Sequence, residues 1–153
     1  MEFAVKKAVR RSSVPLALVL AGIVVMQVAD ADEPGQARNR VRIRPDSEVS
    51  RAEPAPHDGS GQTTAYRYFD DIKDAGVIFR KRALPKGSSI GVHALEHDEV
   101  YYVLGGEAEL TIDGATQALK PATAVYMDRG VSVGIRQTGD ADLVIIVAYP
   151  PVK

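Results

Sequence analysis

The side chains best placed to do chemistry in this chain are His93 and Glu99, which flank the polar turn Glu96-His97-Asp98. An imidazole and a carboxylate delivered from two adjoining strand ends can act in more than one way. His93 can serve as a general base with Glu99 orienting and charging it. The pair can instead offer nitrogen and oxygen ligands to a borderline divalent metal. A third reading involves no chemistry, only a hydrogen-bonded pair closing the mouth of a barrel. Residue types and spacing alone leave the three open.

The elements that must position these groups are short strands. From Ala65 onward, candidate strands run Ala65–Phe69, Val77–Ala83, Ile90–His93, Val100–Leu104, Ala108–Ile112, Thr116–Leu119, Ala124–Met127, Gly134–Gln137 and Leu143–Tyr149. Turn residues separate them, among them Asp74-Ala75-Gly76, Pro85-Lys86-Gly87, Gly105-Gly106, Pro121 and Gly139-Asp140. Asp113-Gly114 between two candidates is a tight-hairpin signal. No sustained helical period appears after Ala65, so the expectation is an all-β barrel or sandwich. Side chains alternate along a strand. If Glu99 faces inward, so do Tyr101 and Val103, and Val133 shares a face with Ile135 and Gln137.

The stretch Gly87 to Gly106 resembles the first signature of the cupin family, G-x5-H-x-H-x3-E-x6-G. Five residues separate Gly87 from His93, and six separate Glu99 from Gly106. The second His position is Leu95. The region Gly114 to Thr138 resembles the second cupin signature, with Pro121 and Gly130 in place. There the ligand His falls on Val133 and the Asn on Gln137. The resemblance implies a small single-domain cupin of the type-2 conserved-barrel kind, a double-stranded β-helix or jelly-roll barrel. It also implies a degenerate metal site that keeps His93 and Glu99, with His97 as a third donor if the turn folds inward. Zn, Mn, Fe or Ni are the metals such donors would take.

With two ligands replaced by alkyl groups, the expected cavity is mostly apolar, lined by Leu95, Tyr101, Val103, Met127, Val133, Ile135 and Gln137 beside His93 and Glu99. That composition suits a small-molecule pocket, and the resemblance suggests a sugar or a small organic acid, with weak or no metal binding. The alternative is an enzyme using His93 and Glu99, either an isomerase or epimerase that moves a proton without metal, or a metal-dependent decarboxylase or dioxygenase. A purely structural role is the third class.

The rest of the chain limits these readings. Lys6, Lys7, Arg10 and Arg11 precede an apolar run from Val14 to Val28, followed by Ala29-Asp30-Ala31. This is the three-part pattern of a signal peptide over 1–31, and the apolar run is shorter than the ~20 residues of a membrane span. The expectation is an exported protein, periplasmic or secreted, with no membrane attachment after cleavage. There is no Cys and the net charge is −1, so disulfides are excluded and nothing marks a nucleic-acid partner. Residues 32–64 are rich in Pro, Gly and charge, and read as an extended, poorly ordered leader before a barrel over 65–153. His57-Asp58-Gly59-Ser60-Gly61 reads either as a linker, the reading adopted, or as a loop over the barrel mouth. The last strand, Leu143–Tyr149, is apolar on both faces, which implies cover for the outer face and a homodimer.

Overall fold

A computed structural model of the chain describes residues 41–151. The expected signal peptide and the first part of the leader lie outside the described residues. Among the described residues, no helix is long and apolar enough to cross a membrane.

One helical turn, α1 (Asp46–Val49), is followed by ten strands: β1 (Ser50–Pro54), β2 (Gln62–Arg67), β3 (Ile78–Leu84), β4 (Ser89–Ala94), β5 (Glu99–Gly105), β6 (Ala108–Ile112), β7 (Ala115–Leu119), β8 (Ala124–Met127), β9 (Ser132–Gln137) and β10 (Leu143–Tyr149). They form two antiparallel sheets, one ordered β1-β2-β3-β10-β5-β8 and the other β4-β9-β6-β7. All nine sequence-derived candidates overlap β2 to β10. The β6–β7 hairpin turns on Asp113-Gly114, with φ of 47° and 86°. Positive φ at both central residues is what a tight two-residue hairpin requires, and Gly adopts it without cost.

The alternating pattern decides what enters the core. Along β10, Leu143, Ile145 and Val147 are buried while Val144, Ile146 and Ala148 are half-buried. The core cluster also takes Leu84, Ile90, Leu95, Tyr101, Val103, Leu110, Leu119, Met127, Val133 and Ile135. Each large side chain so buried contributes roughly 1.5–3 kcal/mol. Because β10 lies between β3 and β5, its backbone is fully paired, and this central strand carries the apolar spine of the larger sheet.

The leader expectation needs correcting over its described part. Ser50–Pro54 is a strand paired with β2 in the register Ser50↔Tyr66 to Pro54↔Gln62. Its side chains are mostly exposed, so no apolar alternation betrays it in the sequence. What holds it is backbone pairing at a sheet edge, where a terminal Pro is tolerated. The loop that follows is not a free linker. The Ser89 amide donates to Ser60 O (3.0 Å) and the Gly91 amide to Pro56 O (3.1 Å). The Ser60 hydroxyl donates to Gly87 O at 2.8 Å. The segment therefore lies along the free edge of β4 and satisfies its donors. A Cβ on Gly91 would stand 1.7 Å from the His57 carbonyl oxygen, so this approach is open only to Gly.

Candidate functional site

A cavity of about 530 Å³ opens between the sheets. Strand alternation brings two arginines of β3 to its wall. Arg82 pairs across the sheet with Ala65 and Ile145, and Arg80 with Arg67 and Val147. Arg80 and Arg82 therefore share the inward face with Leu84. Burying a guanidinium costs several kcal/mol unless it is paired, and each of these is. The Glu53 carboxylate bridges two of them, accepting from Arg82 at 2.7 Å through Oε1 and from Arg67 at 2.9 Å through Oε2. Arg80 donates to Asp70 through Nε (3.3 Å) and Nη2 (2.8 Å). A second Arg82 nitrogen donates to Thr63 Oγ1 at 2.6 Å. The outcome is a ladder, Arg82–Glu53–Arg67–Asp70–Arg80, whose three arginines and Glu53 line the cavity. Burial pushes the Glu53 carboxyl up, but the hydrogen bonds and charges of Arg82 and Arg67 outweigh it and hold it below the usual carboxylate range.

The same cavity is lined by the chain's three histidines, Glu99, Tyr101 and Tyr149, and the Arg80 guanidinium lies over the Tyr149 ring, 5.7 Å from its centroid. Burial pushes the Glu99 carboxyl up to about 7, against the opposing pull of the Tyr101 hydrogen bond and the Arg80 charge. The imidazole nearest to it is His97, whose Nδ1 stands 3.7 Å from Glu99 Oε2. That nitrogen is buried and has no hydrogen-bond partner among the described residues. The His97 ring stacks on Tyr149, with centroids 4.1 Å apart. His93 makes a different contact: its Nδ1 lies 2.9 Å from Gly91 O, and its ring stacks on His57 at 3.5 Å with the planes 3° apart. His57 and its neighbour Asp58 both hold positive φ, 54° and 57°, a strained pair of non-Gly residues of the kind concentrated at functional sites. Burial, then the charges of His93 and Arg82, push the His57 imidazole below its usual range.

The structure sorts the residues expected from sequence. His93, Leu95, His97, Glu99 and Tyr101 line the cavity. Val103, Met127, Val133 and Ile135 belong to the core cluster and do not reach the cavity wall. Gln137 is a brace: its Oε1 accepts from the Gly87 amide at 3.1 Å and its Nε2 donates to the Gly139 and Ala141 carbonyls. The wall mixes charged and apolar side chains rather than being mostly apolar; sequence reasoning missed Glu53, Arg67, Arg80, Arg82 and Tyr149, and took His57 for a linker residue. One signal was available: Arg80 and Arg82 share the period-two face that Leu84 buries.

Among the described residues, no three His, Cys, Asp or Glu side chains converge as ligands of one ion. The stacked rings of His57 and His93 hold their nitrogens in parallel planes rather than converging face to face. Leu95 and Val133 put alkyl groups at the other two positions. A catalytic site of the zinc type needs three protein ligands, so these residues do not fit a resident divalent metal.

Residues 81–149 match the family model described as a cupin domain. The fold of these strands is similar to that of cupin barrels. A curated oxalate-binding protein from Thermotoga maritima is 37% identical over 67 residues, 43% of this chain, and the chain spans 55% of that relative's length. A solved structure titled as a predicted oxalate decarboxylase, also from Thermotoga maritima, superposes with a TM-score of 0.64 at 25% identity, covering 72% of this chain and 99% of its own. The polyketide cyclase RemF from Streptomyces resistomycificus shares the fold, with a TM-score of 0.62 at 22% identity over 72% of this chain and 79% of its own. Glu53, His57, Arg67 and Arg80 lie ahead of the segment that matches the cupin model, so the N-terminal strands of this chain supply much of its cavity wall.

Proposed function

We propose that this chain is an exported protein that binds a small carboxylic acid of the oxalate class, without a tightly held metal. The observation that carries this reading is the set of three positioned guanidinium groups, Arg67, Arg80 and Arg82, on one cavity wall. Guanidinium groups match carboxylates in charge and in bidentate geometry. The named ligand of the Thermotoga maritima relative is of the same chemistry. A calorimetric titration of the purified protein with oxalate at pH 7 tests it. Saturable one-to-one binding is expected, weakened about 10-fold when salt is raised from 0.05 to ~0.5 M. Equal or tighter binding of a neutral sugar would overturn the reading.

One observation favours a second reading. A carboxyl that titrates near neutrality, beside an imidazole nitrogen with no partner, can exchange a proton with a bound acid. In that reading the proton-transfer pair is Glu99 with His97, rather than Glu99 with His93. Product analysis after long incubation with oxalate separates an enzyme from a binding protein.

Export rests on the N-terminal pattern, and a mature N-terminus at Asp32 in the periplasmic or secreted fraction checks it. A homodimer fits the outward face of the six-stranded sheet, where Phe79, Tyr102, Leu104 and Tyr126 are exposed around half-buried Val144 and Ile146. Contiguous exposed apolar surface of this kind marks an interface. Sedimentation equilibrium should give twice the chain mass, and a Tyr102→Asp, Leu104→Asp double variant should give the chain mass.

A further inference from the structure

We propose that Glu53 is the resident occupant of a carboxylate subsite formed by Arg67 and Arg82, and that a ligand carboxylate binds there by displacing it. The inference rests on the carboxylate-binding reading above and names where in the cavity one end of the ligand sits.

Three features of the molecule lead to it. The first is the geometry of the bridge. Glu53 places one oxygen on each of two guanidinium groups, at 2.7 and 2.9 Å. Two arginines sharing a single carboxylate in this way is how such groups grip an anionic ligand. The second is that the arginines do not depend on Glu53 for their position. Arg82 is also tied to Thr63 Oγ1 at 2.6 Å, and Thr63 is itself buried. Arg67 faces Asp70 on its other side, at 3.9 Å. With Glu53 swung away, Arg82 keeps its bond to Thr63 and Arg67 its ion pair with Asp70. The third is the ease of displacement. Glu53 stands on β1, an edge strand paired only with β2, and its side chain reaches water at 22% exposure. A carboxylate that leaves the bridge is rehydrated rather than stranded.

The ladder accounts for the rest of the charge. Asp70 holds Arg80 bidentately, so Arg80 is committed to a separate partner. Glu53 carries the same charge and the same two oxygens as one end of the ligand, and it competes for the same donors. Its presence keeps two arginines paired inside the empty cavity and lowers the affinity of the filled one. If Glu53 were only a structural salt bridge, its loss would weaken both fold and binding. As a competitor, its neutral isostere strengthens binding.

The test is a pair of oxalate titrations at pH 7 and low salt, on the full chain and on Glu53→Gln, each followed by urea unfolding. Glu53→Gln is expected to bind oxalate about 10-fold tighter than the unsubstituted protein. A cooperatively folded Glu53→Gln with unchanged or weaker affinity overturns the proposal while leaving carboxylate binding intact. If Glu53→Gln does not fold, Glu53→Asp supplies the reading. Its carboxylate is retracted by one methylene and cannot span both arginines, so a gain of a few-fold is expected, and no gain overturns the proposal. If neither the unsubstituted protein nor Glu53→Gln binds oxalate or another small carboxylate, the function proposed above fails and this subsite fails with it.

Discussion

Arg82→Gln is expected to weaken oxalate binding by about 100-fold and to lower the free energy of unfolding by about 2–3 kcal/mol. Both effects follow from one residue's position. The Arg82 side chain is only 12% exposed and sits at the start of the charge ladder, joined to Glu53 and Thr63. Its removal takes away a charged donor that ligand oxygens would use. It also leaves Glu53 with Arg67 alone, and it strips Thr63 Oγ1 of its short bond. Breaking one side of a largely buried ion pair costs more than the pair contributes, because the remaining partner keeps its desolvation penalty. Partial exposure of Glu53 holds the cost below the fully buried range. Arg82→Lys separates charge from geometry. It keeps the positive charge but loses the planar fork, so it should recover most of the stability and only about one tenth of the lost affinity. Calorimetric titration and urea unfolding of the two variants measure both quantities. Equal oxalate affinity in Arg82→Gln and the unsubstituted protein would remove the arginine wall from the account of function.

Stability should fall as pH rises from about 4.5 to about 7, and Glu99→Gln should abolish that fall. In the fold, burial pushes the Glu99 carboxyl up to about 7 from its ordinary 4.5. Below pH 4.5 the group is protonated in both folded and unfolded chains, and its contribution is fully present. As pH rises, the unfolded chain releases the proton first, which draws the equilibrium toward unfolding. Above about 7 both forms are ionised and the loss is complete. The full shift would correspond to more than 3 kcal/mol. Residual solvent access through the cavity mouth reduces this to about 2 kcal/mol. The carboxyls of Glu53, Asp46, Asp71 and Asp98 are held below their ordinary values. They act in the opposite sense and at lower pH. His57, held below its usual range, also acts in the opposite sense but within the window, so the Glu99 contribution is read as the difference between the unsubstituted protein and Glu99→Gln. Glu99→Gln keeps shape and hydrogen-bonding capacity without a titrating proton, and its urea midpoint should no longer fall across that window. An unsubstituted protein as stable at pH 7.5 as at pH 4.5 would contradict the buried, uncompensated carboxyl.

The site was legible in part, and the parts differ in kind. His93, Leu95, Glu99 and Tyr101, expected at the cavity, line it, standing where the chain crosses from β4 in one sheet to β5 in the other. Strand alternation put Val103, Val133 and Ile135 on the inner face, which is right. It could not say which inward side chains border the open space and which pack only against one another. Gln137 has the right parity as well, but its amide is consumed by three backbone groups of neighbouring turns. The arginines were missed for a different reason. In Ile78-Phe79-Arg80-Lys81-Arg82-Ala83-Leu84 either parity buries apolar residues, and the one that buries arginine looks worse until its partners are known. Those partners, Glu53 and Asp70, lie on other elements, Glu53 in a strand with no apolar pattern.

By itself, the sequence determined the nine strands from β2 to β10, their turns and the inward faces of most of them. These depend on period-two alternation and on residues such as Asp113-Gly114 whose backbone preferences act over two to seven neighbours. Only the tertiary structure decided which wall of the barrel carries charge, which imidazole approaches Glu99, and that an unpatterned segment becomes an edge strand. Each of these depends on pairings between residues distant in the chain, such as Glu53 with Arg82 and His57 with His93. An ion pair or a ring stack leaves no periodic trace in the segments that form it.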